Sequence, residues 1–424
     1  MSDWGALVTG IGVVAPGAVG RDAYWDLLTA GRTATRGITL FDATGFRSRI
    51  AAEVDFDPTA SGLTPDEVAR MDRAAQFAVV AAREALADAG LGPGDAGPER
   101  TGVSIGSAVG CTTRLEDEYV VVSERGKHWE VAPELATEHL YRALVPSTLA
   151  VEVAWAADAE GPSTVVSTGC TSGLDAVAHG VQLISEGSAD VVIAGATDAP
   201  ISPITVACFD AIGATSRNND DAAHASRPFH KDRDGFVLGE GSAVLVLESR
   251  EHAARRGARA YADIIGFAQR SNAFHMTGLK PDGLDMAEAI EVAMRRAGIT
   301  PDMISHVNAH GSGTAQNDRH ETAALKRSLG KSVYDVPVSS IKSMIGHSLG
   351  AIGALEAAAC ALAIEHDVVP PTANLREQDP ALDLDYVPLT ARGHVNDIVL
   401  SVGSGFGGFQ SAMLLARPGL GTRK

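Results

Sequence analysis

Residues 163–198 read STVVSTGCTSGLDAVAHGVQLISEGSADVVIAGATD. The apolar, β-branched start of this segment predicts a strand over 163–170. Leu174, Val177, Val181 and Ile184 then recur at helical spacing, and Gly187 follows as a stop signal, so the middle of the segment predicts a helix. The apolar run ADVVIAGA predicts a further strand. A strand, a helix and a strand in succession are typical of an α/β fold.

The alternation of strands and helices continues on both sides of this segment. ALVTGIGVV (6–14), TGVSIGS (101–107) and SAVLVLE (242–248) predict further strands. Between the first two, Thr64, Pro65, Asp66 and Glu67 form a capping box with proline at the first helical position. We therefore expect a helix that runs to about Ala89 and stops at Gly90.

The two halves of the chain resemble each other. The helix end ALADAGLGPGD (85–95) matches AMRRAGITPDM (293–303), and their glycines Gly90 and Gly298 are 208 residues apart. The strand openings ADVVIAGA and NDIVLSVG place Asp190 and Asp397 at an offset of 207. Two landmarks at nearly one offset predict an internal duplication. We expect an N-terminal lobe at 1–250 and a C-terminal lobe at 251–424.

Composition narrows the class of protein. The chain has 424 residues, is 45% hydrophobic and carries a formal net charge of −18, which argues against nucleic-acid binding because phosphate contacts need clustered cations. A signal peptide and a run of eighteen apolar residues are not evident, so we expect a cytoplasmic protein without a membrane span. Four scattered cysteines without a CxxC pair argue against a zinc site or a disulfide framework.

Cys170 is the candidate nucleophile. It lies where a strand ends and a helix begins, between Gly169 and Gly173. A helix N-terminus stabilises a thiolate, so we expect a lowered thiol pKa and N–H groups ready for an oxyanion. A small buried cysteine is the alternative, and it is the interpretation that we favour for Cys111, Cys208 and Cys360.

Two histidines occupy comparable turns. His310 follows an apolar strand in VNAHGSGTAQND, and His347 lies in SSIKSMIGHSLGAIG at the start of a helix of small residues. A single histidine beside glycine is more often a packing or capping residue, but strand ends are where α/β folds place their chemistry. No metal-ligand spacing joins the two histidines, so we expect no metal.

Four ordered motifs now carry a resemblance: STGCTSGLDAV, NAHGSGTAQND, IKSMIGHSLGAIGALEA and GSGFGGFQ, with ASRPFHKDRDGFVLGEGSAVLVLE between the first two. Together they resemble a beta-ketoacyl synthase of the elongating type. AGATDAPISPITVACFDAI is most similar to the ketosynthase alpha subunit of bacterial type II polyketide synthases. The resemblance implies a thiolase fold, in which two duplicated α/β lobes form a five-layered arrangement.

The resemblance also implies a mechanism. Cys170 would accept an acyl chain from the phosphopantetheine arm of an acyl carrier protein, and malonyl-carrier protein would then decarboxylate and attack the Cys170 thioester. His310 and His347 would donate hydrogen bonds to the malonyl thioester carbonyl. The resemblance implies no bound cofactor. The other implied site residues are a supporting pair (Lys342 and Glu356), a mobile oxyanion-hole loop (Phe406), three contacts to the pantetheine arm (Thr277, Ser312 and Thr314) and two acyl-channel residues (Val109 and Cys111).

For some of these residues a structural role remains the alternative. Lys342 and Glu356 would otherwise form an ordinary surface ion pair, and the glycines around Phe406 would serve packing. Arg70, Arg73 and Lys280 are cationic candidates for carrier-protein docking, although a solvated helix face explains each of them as well.

Other functions fit the sequence less well. Gly10-Ile11-Gly12-Val13-Val14-Ala15 matches the dinucleotide fingerprint, but Pro16-Gly17 interrupts the helix that the fingerprint requires. A degradative thiolase would carry a cysteine in the C-terminal glycine loop, and an initiating synthase would replace one histidine with asparagine. A fatty-acid elongating synthase is the alternative enzyme, and a non-catalytic chain-length factor is less favoured because Cys170 is present. Such a factor is the expected partner in a heterodimer, and a homodimer remains open.

Overall fold

A computed structural model describes residues 4–127 and 131–420. In these ranges the strands are Ala6–Ala15 (β1), Ala18–Val19 (β2), Arg36–Gly37 (β3), Ile50–Ala52 (β4), Thr101–Gly106 (β5), Ser163–Val166 (β6), Val191–Asp198 (β7), Leu238–Gly239 (β8), Gly241–Glu248 (β9), Ala262–Ser271 (β10), His306–Asn308 (β11), Val338–Ser339 (β12), Val368–Val369 (β13), Arg392–Gly393 (β14), Ile398–Gly405 (β15) and Phe409–Ala416 (β16).

The α-helices within the same ranges are Arg21–Thr29 (α1), Pro65–Arg70 (α2), Arg73–Ala89 (α3), Thr112–Val122 (α4), Glu138–Leu144 (α5), Thr148–Ala157 (α6), Ser172–Ser185 (α7), Pro203–Ala211 (α8), Arg250–Arg256 (α9), Leu284–Ala297 (α10), Ala315–Leu329 (α11), Lys342–Ile345 (α12) and Ile352–His366 (α13).

The central sheet is built from two matching halves. Its strand order is β12-β11-β15-β16-β10-β1-β9-β7-β5-β6. Outward from the middle, β1, β9, β7, β5 and β6 correspond to β10, β16, β15, β11 and β12, and the parallel and antiparallel pairings agree. The halves meet where β1 and β10 pair antiparallel, with Ala6 opposite Ile264. The predicted duplication is therefore confirmed.

Helices cover both faces of each half and lie between the halves. Side chains of β7 alternate between faces: Val192 packs in the cluster that contains α7 and α13, whereas Val191 and Ile193 pack in the cluster that contains α3 and α6. In the C-terminal half, Val399 of β15 joins the α7 and α13 cluster, and Leu400 packs with α10 and α11. The resulting order of helices, sheet, helices, sheet and helices is the expected five-layered thiolase fold. The division at residue 250 stays a prediction.

The two middle helices approach each other at glycine. A Cβ atom on Gly173 of α7 would lie 2.4 Å from the backbone nitrogen of Ala354, and one on Gly353 of α13 would lie 2.7 Å from the backbone nitrogen of Leu174. Such contacts leave no room for a side chain, because backbone atoms cannot move aside. Since α7 begins after Cys170 and α13 begins after His347, this crossing sets the separation of two candidate catalytic residues.

Close packing also explains the glycines of the dinucleotide-like fingerprint. A Cβ atom on Gly10 would lie 2.1 Å from the Ala85 carbonyl oxygen, and one on Gly12 would lie 1.9 Å from that of Ala81. Both carbonyl groups belong to α3, which lies across β1. These two glycines therefore allow α3 to pack directly on β1. In a dinucleotide-binding site, the same glycines would instead precede a helix whose N-terminus binds a phosphate.

Local boundaries correct two expectations. The helix predicted from residue 64 to 89 is two helices, because Met71 is extended and Asp72 starts a new helix. The Asp72 carboxylate accepts the N–H groups of Ala74 at 2.7 Å and Arg114 at 2.8 Å, which caps α3 and fixes α4 against it. The strand predicted to reach Cys170 ends at Val166, because residues 167–170 form a turn.

The predicted helix stops are confirmed. Gly90 and Gly298 both adopt the left-handed conformation, at φ 69° and 68°, and end the corresponding helices α3 and α10.

Leu349–His366 is long and apolar enough to be a candidate membrane span among the described residues, but 89% of the segment is buried inside the protein. It contains α13 of the middle layer, which makes it a core helix. The sequence did not single it out because two glutamates interrupt its apolar residues.

The glycine crossing predicts a stability effect. Gly173→Ala should lower the free energy of unfolding by about 1–3 kcal/mol, because the added methyl group overlaps backbone of α13. Gly37→Ala is the control, since an added Cβ atom there meets nothing within 4 Å. Urea denaturation of the purified proteins compares the two, and equal stabilities would contradict the tight crossing.

Candidate active site

Cys170 lies in a sharp turn between β6 and α7. Gly169, at φ 62°, makes the turn, and its carbonyl oxygen accepts the Ser172 N–H at 3.1 Å and the Ser172 hydroxyl at 2.6 Å. The β15–β16 hairpin of the other lobe lies against this turn: the backbone N–H of Phe406 donates a hydrogen bond to the Cys170 thiol. A Cβ atom on Gly405 would lie 3.3 Å from the Cys170 nitrogen. The N–H groups of Cys170 and Phe406 are therefore neighbours at the sulfur atom.

The Cys170 thiol is neutral in the free enzyme. Burial raises the pKa of Cys170 to about 11, although the Lys342 cation and the Phe406 N–H group oppose the rise. The expectation of a lowered pKa is wrong for a physical reason. The N–H groups of Thr171 and Ser172 donate to the carbonyl groups of Thr168 and Gly169 and close the turn, so desolvation outweighs the helix terminus.

His310 and His347 meet edge to face at the cavity that contains Cys170. Their ring centroids are 5.3 Å apart with an interplanar angle of 82°. Burial, together with the Lys342 cation, holds the pKa of both imidazoles well below the usual value. Both rings are therefore neutral, and each carries one N–H. Within the described chain, neither Nδ1 atom has a hydrogen-bond partner, and both are buried.

Lys342 and Glu356 form a buried ion pair below the histidines. The Lys342 ammonium group donates to the Glu356 carboxylate and to the His310 carbonyl oxygen, and both side chains are 1% exposed. Burial raises the pKa of Glu356 to about 7, opposed by Lys342. The alternative of an ordinary surface ion pair is therefore wrong. The contact to His310 makes the pair part of the site.

Two carboxylates of α11 hold the loop that carries His310, and sequence reasoning missed their role. Glu321 accepts the His310 N–H at 2.6 Å and the Gly311 N–H at 2.8 Å. Asp318 accepts the Gly313 N–H at 3.2 Å and pairs with Arg233 at 3.1 Å. Burial raises the pKa of Glu321 to about 8. The sequence feature that could have indicated this role is a pair of acidic residues one helical turn apart, directly after a glycine-rich loop.

A cavity of about 350 Å³ collects most of the predicted site residues. Its walls include the predicted residues Cys170, His310, His347, Phe406, Thr277, Ser312 and Thr314. Val109 lies outside the lining and packs in the same apolar cluster as Cys170 and Leu349, while Cys111 packs with α3 in a different cluster. The acyl-channel role therefore has no support for Cys111, and for Val109 it stays a prediction.

Aromatic side chains form one wall of the cavity. The Phe209 ring lies 6.4 Å from Phe406 and 5.4 Å from Phe236, and Phe236 contacts the His347 ring edge to face at 5.2 Å. Sequence reasoning did not identify Phe209 or Phe236. Their apolar surface keeps the environment of the histidines dry, which strengthens hydrogen bonds to a developing charge.

The docking candidates differ in availability. Arg73 forms an ion pair with the buried Glu240 at 2.6 Å, and its side chain is only 21% exposed, which leaves little of it for docking. Arg70 pairs with Glu152 at 2.9 Å and stacks over Trp155. Lys280 is 36% exposed and lies 3.7 Å from Asp285. Of the three side chains, that of Lys280 is the most exposed.

In the parts of the chain that the structure describes, no group of three or more His, Cys, Asp and Glu residues is arranged to hold a metal ion.

Comparison with known proteins agrees with this geometry. The beta-ketoacyl synthase N-terminal domain model matches residues 6–253, and the C-terminal domain model matches residues 261–376. The tetracenomycin polyketide synthase ketoacyl synthase alpha subunit of Streptomyces glaucescens is 69% identical over 412 residues, which cover 97% of each chain.

Two solved structures share the whole fold. A type II polyketide synthase acyl-carrier protein in complex with its ketosynthase bound to the hexaketide matches with a TM-score of 0.91 at 37% identity, covering 98% of this chain and 99% of that one. The ishigamide ketosynthase/chain length factor matches with a TM-score of 0.89 at 35% identity, covering 98% and 100%. The chain therefore belongs to the beta-ketoacyl synthase family, is an acyltransferase that catalyses decarboxylative condensation, and resembles the ketosynthase alpha subunits of type II polyketide synthases.

Proposed function

We propose that this chain is the catalytic alpha subunit of a type II polyketide synthase, with Cys170 as acyl acceptor and His310 and His347 as enolate-stabilising donors. The observation that carries the proposal is the convergence of these three residues on one cavity, with the Phe406 N–H on the sulfur atom. A chain-length factor of this fold lacks the cysteine. The phosphopantetheine arm of an acyl carrier protein delivers both substrates.

In the first half-reaction the Cys170 sulfur atom attacks the acyl thioester. A bond forms between sulfur and the acyl carbon, the bond to the pantetheine sulfur breaks, and the thiol proton passes to the departing pantetheine thiolate. The acyl oxygen carries negative charge in the tetrahedral intermediate. The N–H groups of Cys170 and Phe406 are placed to receive it.

In the second half-reaction malonyl-carrier protein loses carbon dioxide. The electron pair of the broken carbon–carbon bond moves into an enolate, whose oxygen accepts the N–H groups of His310 and His347. Neutral imidazoles suit this task, because each presents a fixed N–H in a dry site. The enolate carbon then attacks the Cys170 thioester, and the released thiolate takes a proton. Lys342 contributes indirectly, since its cation lowers the pKa of both rings.

The pantetheine arm would pass the hydroxyl-bearing part of the cavity. Ser312 and Thr314 hydroxyl oxygens are 3.1 Å apart, and Thr277 lies on a neighbouring loop of the same wall. These hydroxyl groups can bind the two amides of a pantetheine chain. The aromatic side chains Phe209, Phe236 and Phe406 line the same cavity and would provide apolar surface for the acyl group.

A partner subunit of the same fold would bind at the β6 side of the molecule. Among the described strands, β6 ends the sheet and has one neighbour, β5. The segment that follows β5 carries an apolar surface at α4 and α5, where Tyr141 is 70% exposed and Leu144 is 62% exposed. One solved relative is named a ketosynthase/chain length factor. We therefore assign the β6 edge and the apolar surface of α4 and α5 to contact with a chain-length factor.

The cytoplasm is the proposed location. The four cysteines are free, which suits a reducing compartment.

The raised thiol pKa predicts a pH dependence. Below a pKa of about 11, the thiolate fraction of Cys170 increases with pH, so alkylation by iodoacetamide should accelerate about tenfold per pH unit between pH 7 and 9. Peptide mass spectrometry should follow Cys170 in a Cys208→Ser background, because Cys208 is exposed and not buried as the sequence suggested. A plateau near pH 7 would indicate the helix-stabilised thiolate instead.

The histidine assignment predicts a separation of the two half-reactions. His310→Ala and His347→Ala should each slow carbon dioxide release from malonyl-carrier protein by roughly 10²–10³-fold, the usual cost of one oxyanion donor. Acylation of Cys170, followed by intact-mass spectrometry, should change by less than about tenfold. His394→Ala is the control, because His394 lies away from the cavity and bonds to the Ser305 carbonyl oxygen. Unchanged decarboxylation in both variants would remove the histidines from the mechanism.

The partner face predicts an assembly defect. Leu144→Asp combined with Tyr141→Asp should abolish copurification with a coexpressed chain-length factor, since two charges would enter an apolar interface. Val395→Asp, at a residue that is 61% exposed in the C-terminal lobe, should leave the complex intact. Size-exclusion chromatography reads the result.

Extension assays with carrier proteins test the class of synthase. Chain extension that needs the partner supports the polyketide assignment, whereas full extension by this chain alone would favour the fatty-acid elongation alternative.

A further inference from the structure

Asp175 is a buried carboxylate with four neutral hydrogen-bond donors. It lies in α7, little more than one helical turn beyond Cys170, and is 8% exposed. One carboxylate oxygen, Oδ2, accepts the hydroxyl groups of Thr168 at 2.5 Å and Thr171 at 2.9 Å and the Gln269 amide at 2.6 Å. The other oxygen, Oδ1, accepts the Ser411 hydroxyl at 2.6 Å. Burying a carboxylate is costly, so a network of this kind calls for a function.

Two of these donors lie on either side of the nucleophile. Thr168 is two residues before Cys170, and Thr171 is the next residue. The Thr171 hydroxyl also lies 3.0 Å from the Thr168 carbonyl oxygen, so the two threonines close the turn on themselves. By accepting both hydroxyl groups, Asp175 fixes the ends of the four-residue segment whose middle is Gly169 and Cys170.

The other two donors belong to the C-terminal half of the sheet. Gln269 is on β10 and Ser411 is on β16. Strand β16 leaves the loop that carries Phe406, and Ser411 pairs in register with Gly403, two residues before the end of β15. Hydrogen bonds to these strands place the hairpin, and therefore the Phe406 N–H, relative to the nucleophile turn.

We propose that Asp175 is a positioning residue that sets the distance between the Cys170 and Phe406 N–H groups and so maintains the oxyanion hole. The inference rests on the proposed function and adds a residue to it. The Asp175 carboxylate accepts hydrogen bonds from the turn that carries the Cys170 N–H and from the hairpin that carries the Phe406 N–H. A shift of about 1 Å between such groups costs on the order of 100-fold in rate.

The assignment separates the steps of the reaction. Acyl transfer to Cys170 and condensation on acyl-Cys170 both pass through a tetrahedral intermediate whose oxygen occupies this hole. Decarboxylation of malonyl-carrier protein develops charge at a different oxygen, which the two histidines bind. Loss of Asp175 function therefore slows the first two steps and spares the third, whereas a merely structural role would slow all three together.

The test uses the synthase with its partner subunit and carrier proteins. Wild type must first acylate at Cys170, because failure at that point contradicts the proposed function itself. Asp175→Asn should then slow Cys170 acylation by roughly 100-fold, while carbon dioxide release from malonyl-carrier protein changes less than about threefold. Asp175→Asn combined with Gln269→Glu exchanges acceptor and donor and should recover acylation at least about tenfold over the single variant.

A milder pair keeps the test valid if Asp175→Asn does not fold. Ser411→Ala removes the hydrogen bond to the hairpin strand and retains the carboxylate, so acylation should fall about tenfold with decarboxylation unchanged. Ser242→Ala is the matched control on β9, the strand that corresponds to β16, where the hydroxyl donates to the Ala196 carbonyl oxygen. Equal losses in acylation and decarboxylation, or acylation at the wild-type rate in Ser411→Ala, would overturn the proposal.

Discussion

The contact between α7 and α13 at Gly173 and Gly353 is the constraint on which the active site depends. Each helix follows a turn that carries a candidate catalytic residue: Cys170 precedes α7 by two residues, and His347 precedes α13 by five. Because backbone meets backbone at the crossing, the two helix starts cannot move apart or together without a clash or a void. The duplicated halves thus bring one nucleophile and one hydrogen-bond donor to the same cavity from equivalent positions.

Burial keeps Cys170, His310 and His347 in their neutral forms. Desolvation raises the thiol pKa of Cys170 and lowers the imidazole pKa of both histidines, so the resting cavity presents neutral side chains. The Lys342 cation is compensated by Glu356 directly below. Fixed N–H dipoles therefore provide the stabilisation of developing negative charge. This arrangement fits a reaction whose charge appears only in the transition state and intermediates.

Sequence alone predicted those features that depend on local pattern. The alternating strands and helices followed from apolar periodicity, and the 208-residue offset between Gly90 and Gly298 followed from equal helix stops in duplicated halves. Features that depend on distant residues were missed or wrong. Glu321 could not be connected to the His310 backbone, the thiol pKa depends on burial, and the ion pair between Arg73 and Glu240 joins residues 167 positions apart.

Directional hydrogen bonds fix the relative position of the two lobes more tightly than the apolar contacts between the layers do. Hydrophobic contact holds the five layers together but tolerates small displacements, because burial of area depends little on direction. Two carboxylates of the N-terminal half reach donors of the C-terminal half. Asp175 joins the nucleophile turn to Ser411, and Asp198 joins the 107–110 loop to the Gly350 N–H at 2.7 Å, beside the turn of His347. If the donors moved away, each desolvated carboxylate would lose its hydrogen bonds and the folded protein would lose stability. The two carboxylates therefore hold the lobes in a fixed relative position beside the cavity, where the chemistry requires angular precision.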